Sequence, residues 1–316
     1  MKPTPEAASG GLSLESATPM GRPGRIGSVR WARARLVLGI FKLRIAVLIM
    51  VTALAGMAAV PGAAITLVQA LALALSVLLA SAAAGAFNQF VEAEGDRRMP
   101  RTRGRAFASG ALPQSGAWLF AIVALLLVSV AAAAWLVNGW AATFTAAGAL
   151  TYGVVYTLWL KRRTAWNIVI GGLAGSFAVL AGAAAANPQI ATLAWLLALV
   201  LLLWTPPHFW SLAIANEAEY AAASIPMLPV VVGVPRAARI VHGQTIALVA
   251  ASMLPLLFGA GVVYAIGALA GGTLFLRKTA ALAAQPTRRA ALGAFFASMV
   301  HLSVLLAGVV VDAVVR

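Results

Sequence analysis

Five of the eight acidic residues in this 316-residue chain fall in two short stretches. Glu92, Glu94 and Asp96 lie in NQFVEAEGD, and Glu217 and Glu219 in ANEAEY, each at the end of a long apolar run. In a sequence that is 62% hydrophobic, a carboxylate so placed is costly unless it is partnered, and a divalent cation is the partner such clusters suit. Asn88, Glu92 and Asp96 are spaced i, i+4, i+8. On a continuous helix each is turned only ~40° from the one before, so three oxygen-bearing side chains line one face while Glu94 points elsewhere. Oxygen donors of this kind suit Mg²⁺, which keeps several waters and shares its coordination with substrate phosphates. A diphosphate would complete the site.

Immediately downstream, RRMPRTRGR supplies Arg97, Arg98, Arg101, Arg103 and Arg105. Guanidinium forks bind phosphate oxygens bidentately, so acids followed by arginines make a metal-diphosphate cradle. The bland reading of the same residues is a basic cytoplasmic loop. In the second cluster, helical spacing puts Asn216, Glu219 and Tyr220 on one face and Glu217 on another, which makes Glu219 the expected ligand. His208, in WTPPHFW, is flanked by aromatic rings near the end of an apolar run. His242 and His301 lack such company and read as structural.

The elements that must position these residues are membrane helices. A mean hydropathy of +0.94 with only 10% charged residues leaves too few polar groups to coat a water-soluble globule. Apolar runs near the ~20 residues needed to cross a bilayer predict nine spans, over about 40–60, 64–87, 114–137, 140–160, 166–186, 190–213, 237–257, 259–276 and 290–313. The expected fold is therefore all-α, a polytopic bundle whose Ala- and Gly-rich helices approach closely. With a cytoplasmic N-terminus, this count puts 22 of the 23 Lys and Arg on the cytoplasmic side, leaving only Arg316. The net charge of +15 thus reports topology and not a nucleic-acid partner. Pro206 and Pro207 should kink the sixth span, and Pro226, Pro229 and Pro235 favour a rigid extended connection after it.

Residues 1–35, rich in Gly, Pro, Ser and Arg, read as a disordered basic tail ahead of a transmembrane domain over 36–316. There is no cysteine, which excludes disulfides and thiolate chemistry. No Walker loop, HExxH pair or nucleophile elbow occurs.

These motifs resemble the intramembrane UbiA-type prenyltransferases. Asn88, Glu92 and Asp96 match that family's N-x-x-x-(D/E)-x-x-x-D, and YTLWLKRRTAWNIVIGG (156–172), WTPPHFWSLAI (204–214) and EYAAASIPMLPVVVG (219–233) resemble its haem-modifying branch. With TALAGM at 52–57 the likeness covers roughly residues 40–310. The resemblance implies a nine-helix bundle, farnesyl diphosphate as donor, haem B as acceptor, haem O as product and Mg²⁺ dependence. It also implies a bacterial inner-membrane location and a haem A synthase or terminal-oxidase assembly partner. On this reading Asn88, Glu92, Asp96 and Glu219 hold the metal, and Arg97, Arg101, Arg105 or Lys161 grip the diphosphate. His208 and Tyr220 would control the water that quenches the final cation.

Three positions depart from the family pattern. Lys42-Leu43-Arg44 lacks the usual central proline, Ala178-Val179 replaces paired prolines, and Asn216 or Glu217 stands where a basic residue is common. The first departure predicts an altered helix entrance, the second a straighter fifth span, and the third weaker phosphate binding from that side. Two rivals remain at this point: a related prenyltransferase acting on a quinone precursor or another tetrapyrrole, and a secondary transporter using intramembrane acids for ion coupling.

Overall fold

The computed structural model describes residues 25–62 and 65–315. Among these there is no strand. Helices α1 (Arg25–Ile40) and α2 (Leu43–Ala58) meet at an elbow, and α3 (Leu67–Val91) runs into the short α4 (Ala93–Arg97). After a tucked loop come α5 (Gly116–Leu136) and α6 (Gly139–Leu150), the latter continued by a π-helical stretch, Thr151–Leu160. The short α7 (Asn167–Gly171) leads into α8 (Leu173–Ala186), then α9 (Thr192–Ala215) and two short pieces, α10 (Glu217–Ala222) and α11 (Leu228–Val232). The chain ends with α12 (Val234–Ala251), a 3₁₀ turn (Leu254–Phe258), α13 (Val262–Ala284) and α14 (Arg288–Val315).

The long helices pack in chain order around a ring. α2, α3, α5, α6 and α8 form one arc, α9, α12, α13 and α14 the other, and α8 against α9 and α14 against α2 close it. Small residues make the contact of α2 with α8, the two ends of the first arc, tight. A Cβ on Gly56 of α2 would overlap the Val179 carbonyl of α8, and one on Gly182 of α8 would overlap the Ala53 carbonyl of α2, so each helix needs glycine where the other's backbone passes. α8 runs unbroken through Ala178-Val179, and its span is interrupted earlier, at Gly172. Several tryptophans face outward, Trp135 at 90% exposure, with Trp140 and Trp195 also exposed, while Trp210 is buried. Amphipathic rings so placed fit the headgroup level of a bilayer.

Helix ends are satisfied locally. Thr66 and Gln69 form a reciprocal capping box at the start of α3. The Asn138 side chain accepts from the Ala141 N–H at the start of α6 and donates to the Ala184 carbonyl of α8, tying two spans at one turn. Asp312, an acid with no assigned role in the sequence, is buried and accepts from the Val263 and Tyr264 amides. It caps α13 from α14.

Among the described residues seven helices are long and apolar enough to cross a membrane, and the α1–α2 pair, bent by 49°, makes an eighth if it is one span. α13 has 23 residues but carries Arg277 and Lys278 within them, and it is not among the eight. Residues 1–24 of the expected tail lie outside the described residues, and 25–35 belong to α1. α9 continues as one helix through Pro206 and Pro207, and one expectation about proline changes. Pro229 and Pro235 sit in the first turns of α11 and α12, where a missing N–H costs nothing, so the segment after Met227 is helical and not extended.

Candidate active site

The first acidic motif folds as its spacing requires. Glu92 marks the junction of α3 and α4, yet its N–H bonds to the Asn88 carbonyl (3.0 Å) and the Asp96 N–H to the Glu92 carbonyl (2.8 Å), so i→i−4 bonding carries the face across the break. Asn88, Glu92 and Asp96 are 2%, 5% and 5% exposed. Glu94 points to solvent with a side chain 78% exposed, where it pairs with Arg98.

Each member of this buried ladder is held by a cation from a different segment. Lys42 Nζ donates to Asn88 Oδ1 at 2.5 Å and to the Tyr152 hydroxyl at 3.2 Å. Lys161 Nζ donates to both Glu92 oxygens, at 2.5 and 2.6 Å. Arg105 Nη1 reaches both oxygens of Asp96, at 3.0 and 2.8 Å. Two carboxylates therefore face three cations, a balance that makes their burial tolerable and leaves a surplus positive charge for an anionic substrate.

Lys42 is the least predictable of these. It sits in the α1–α2 elbow with φ 47° and ψ 45°, a left-handed conformation uncommon for a side chain of its size. Gln89 holds the elbow from α3 by donating to the carbonyls of Gly39 and Ile40 at 2.9 and 3.0 Å. Adjacent residues of one helix thus fix both the backbone of the elbow and the side chain it presents. The bend forms without the proline that the family pattern carries.

The π-helical stretch brings the remaining groups to the ladder. Thr157 Oγ1 accepts from Asn88 Nδ2 at 3.1 Å and donates to the Tyr152 carbonyl at 2.8 Å, while the Lys161 N–H bonds back to the Tyr156 carbonyl, an i→i−5 step. Tyr152 and Tyr156 stack, centroids 5.6 Å apart. An α-helix turns in 3.6 residues, so Tyr152 and Lys161, nine apart, would point to opposite faces. At ~4.4 residues per π-turn they share one. A Cβ on Gly171 would overlap the Tyr156 ring, which explains one glycine of the Gly171-Gly172 pair.

Arg101 links the two acidic motifs. Its Nη2 donates to the Tyr220 hydroxyl at 3.2 Å, its Nε lies 3.9 Å from Glu219 Oε2, and its guanidinium sits 5.8 Å from the Tyr220 ring centre. Glu92, Tyr220 and Arg101 all lie near enough to Tyr156 to act on it electrostatically. Arg97 instead donates to the Ala108 carbonyl and braces the loop between α4 and α5, which Phe107 anchors edge-on against Phe90 and Trp118. His208 stands apart in α9, stacked between Trp204 and Phe295 and bonded to Ser298.

Oxygen chemistry fits a hard divalent cation. The donors are an amide, two buried carboxylates and Glu219, whose Oε2 is buried without a hydrogen-bond partner. Among the described residues no three His or acidic side chains gather closely enough to hold an ion. Of the four residues expected to hold a metal, Glu92 pairs with Lys161, Asp96 with Arg105, and Glu219 lies 3.9 Å from Arg101. The cavity between α2, α8, α9 and α14, lined by Gly56, Val179, Leu201 and Leu305 among others, is apolar and about 10 Å³. That is room for one water and not for a chain of carbons.

A bundle of long apolar helices with paired acidic motifs, flanked by basic residues, at its helix ends defines an integral multi-pass membrane protein with a charged, polar site. The UbiA prenyltransferase family matches residues 49–303, and the chain belongs to that family. It is 53% identical over 281 residues to Protoheme IX farnesyltransferase 2 of Paramagnetospirillum magneticum, covering 89% of this chain and 98% of that one. The fold is similar to that of a digeranylgeranylglyceryl phosphate synthase (TM-score 0.75, 17% identity, 90% of this chain and 100% of that one). It is also similar to that of a UbiA homologue from Archaeoglobus fulgidus bound to DMAPP and Mg²⁺ (TM-score 0.65, 14% identity, 85% and 98%).

Proposed function

We propose that this chain transfers the farnesyl group of farnesyl diphosphate to a vinyl group of haem B, giving haem O, with Mg²⁺ as the metal. The observation that carries the reading is the buried ladder of Asn88, Glu92 and Asp96, each rung held by a cation drawn from elsewhere in the chain. The acceptor rests on the relative named for protohaem farnesylation, and the metal on oxygen donors of the right hardness together with the Mg²⁺-bound homologue.

Asn88, Glu92, Asp96 and Glu219 would hold the metal. Mg²⁺, when bound, neutralises the diphosphate as the allylic C–O bond lengthens. Lys42, Lys161 and Arg105 then exchange their carboxylate and amide partners for diphosphate oxygens, and Arg101 closes from the opposite motif. Arg97 keeps the loop in place. The apolar side chains between α2, α8, α9 and α14 keep water from the allylic cation until the electron-rich vinyl group adds to it. Water entering past Tyr220 then quenches the new cation and loses a proton to the released diphosphate, which leaves the hydroxyl of haem O. The excess of Lys and Arg in the loops on one side supports a cytoplasmic site at a bacterial inner membrane with the N-terminus inside, and α13 as a ninth crossing would put the C-terminus outside.

Expression in a host that makes only haem B, followed by mass analysis of extracted pigment, tests the reading. Haem O should appear with the parent chain and vanish with Asp96→Ala at unchanged membrane levels. Absence of haem O with the parent chain sinks the acceptor assignment, and normal haem O from Asp96→Ala sinks the metal site.

A further inference from the structure

We propose that Ser298 is a positioning residue that fixes the tautomer of His208 so that His208 Nε2 ligates the iron of the haem acceptor. The inference rests on the haem-acceptor reading above. The geometry determines where the protons are. Ser298 Oγ lies 2.6 Å from the Phe295 carbonyl, which has no proton to give, so the single hydroxyl hydrogen goes there. Its remaining contact, 2.6 Å to His208 Nδ1, must then be one in which the hydroxyl accepts. His208 therefore carries its hydrogen on Nδ1, and the neutral ring bears a bare lone pair on Nε2.

No hydrogen bond engages Nε2 among the described residues. The ring is not free to turn. It is stacked on Trp204 at 4.2 Å and 20° and on Phe295 at 4.6 Å and 27°, with Phe209 edge-on at 4.9 Å. Trp204 Nε1 donates to the Ser298 carbonyl at 2.8 Å, so the serine that sets the tautomer is itself clamped between α9 and α14. An oriented imidazole whose N–H is spoken for by a neighbouring oxygen is the arrangement that tunes a histidine ligand. A haem iron bound by a neutral imidazole nitrogen is its commonest use of such a ring.

The competing role, a base that takes the proton of the quenching water, fits less well. An imidazolium here would face three aromatic rings and one serine, with no carboxylate bonded to it. Ligation needs no charge on the ring.

The test uses the full-length protein in nanodiscs titrated with ferrous haem B, read by resonance Raman for the iron–imidazole stretch. The parent should show that signature. Ser298→Ala should weaken haem binding by about 10- to 100-fold and alter the stretch, while Ser298→Thr, which keeps the hydroxyl, restores both. His208→Gly should lose the signature and regain it on adding free imidazole, with farnesyl diphosphate affinity kept as a control on folding. An unchanged signature in His208→Gly overturns the proposal, as does a Ser298→Ala variant matching the parent in affinity and spectrum. Should His208→Gly fail to insert, the two Ser298 variants decide alone. A parent that makes haem O without an imidazole signature refutes this inference and spares the acceptor reading, whereas a parent that makes no haem O refutes the acceptor reading.

Discussion

Glu92 and Lys161 form a pair whose side chains are 7% and 17% exposed, and removing one partner leaves the other buried and uncompensated. Lys161→Met should therefore destabilise the protein by roughly 3–5 kcal/mol. Glu92→Gln combined with Lys161→Met should recover most of that in thermal melts of the detergent-solubilised protein, yet stay inactive. Recovery of turnover along with stability would show the pair to be structural only. Because the same carboxylates would bind metal, Mg²⁺ alone should bind weakly by calorimetry and tighten at least tenfold with an unreactive diphosphate analogue, which draws the cations away. Equal affinity with and without the analogue would refute that exchange. The ladder itself was legible in the sequence, since Asn88, Glu92 and Asp96 needed only helical spacing. Lys42, Gln89, Tyr152 and Thr157 were not, because they join it across 46 to 110 residues of chain or through an elbow that no local pattern announces. The proline-free Lys42-Leu43-Arg44 predicted only an altered helix entrance, with no sign of the left-handed residue that makes the elbow.

The π-helical stretch Thr151–Leu160 is the element on which the site's register depends. Deleting Val154, which faces outward at 45% exposure, should let this stretch relax toward an α-helix and swing Lys161 by roughly 60° away from Glu92. Haem O production should fall as far as in Lys161→Met, with α6 still inserted. Activity near the parent level would mean that the wider turn does not set the register. Spans of this kind were readable from hydropathy, but their inner winding was not, since a π-turn and an α-turn bury the same apolar composition. The prolines misled in the opposite direction. Pro229 and Pro235 suggested an extended strap, whereas each occupies a helix start, and only the alternation of Met227 and Gly233 in extended or left-handed geometry separates the pieces.

At the scale of the molecule, two glycines and the distribution of charge decide the fold. Gly182→Val should prevent α2 from seating on α8, because backbone meets backbone there and neither side can yield. The expected result is little protein surviving detergent extraction, and normal recovery would refute the close approach. The chain has no cysteine, so single substitutions report sidedness cleanly. Ser109→Cys should react with an impermeant maleimide only from the cytoplasmic face, and Gln189→Cys only from the opposite one; the reverse pattern would invert the assigned orientation. The ring of helices was implicit in composition, but which span touches which was not, because Ala-rich faces fit one another in several orders. The sealed apolar seam between the two arcs has a further meaning. If the farnesyl tail takes this seam, the arcs have to part to admit it, and that swelling works against the lateral pressure of the surrounding acyl chains. Catalysis should accordingly slow in stiff, saturated bilayers and quicken in fluid ones, making this enzyme a gauge of how easily its membrane can be pushed aside.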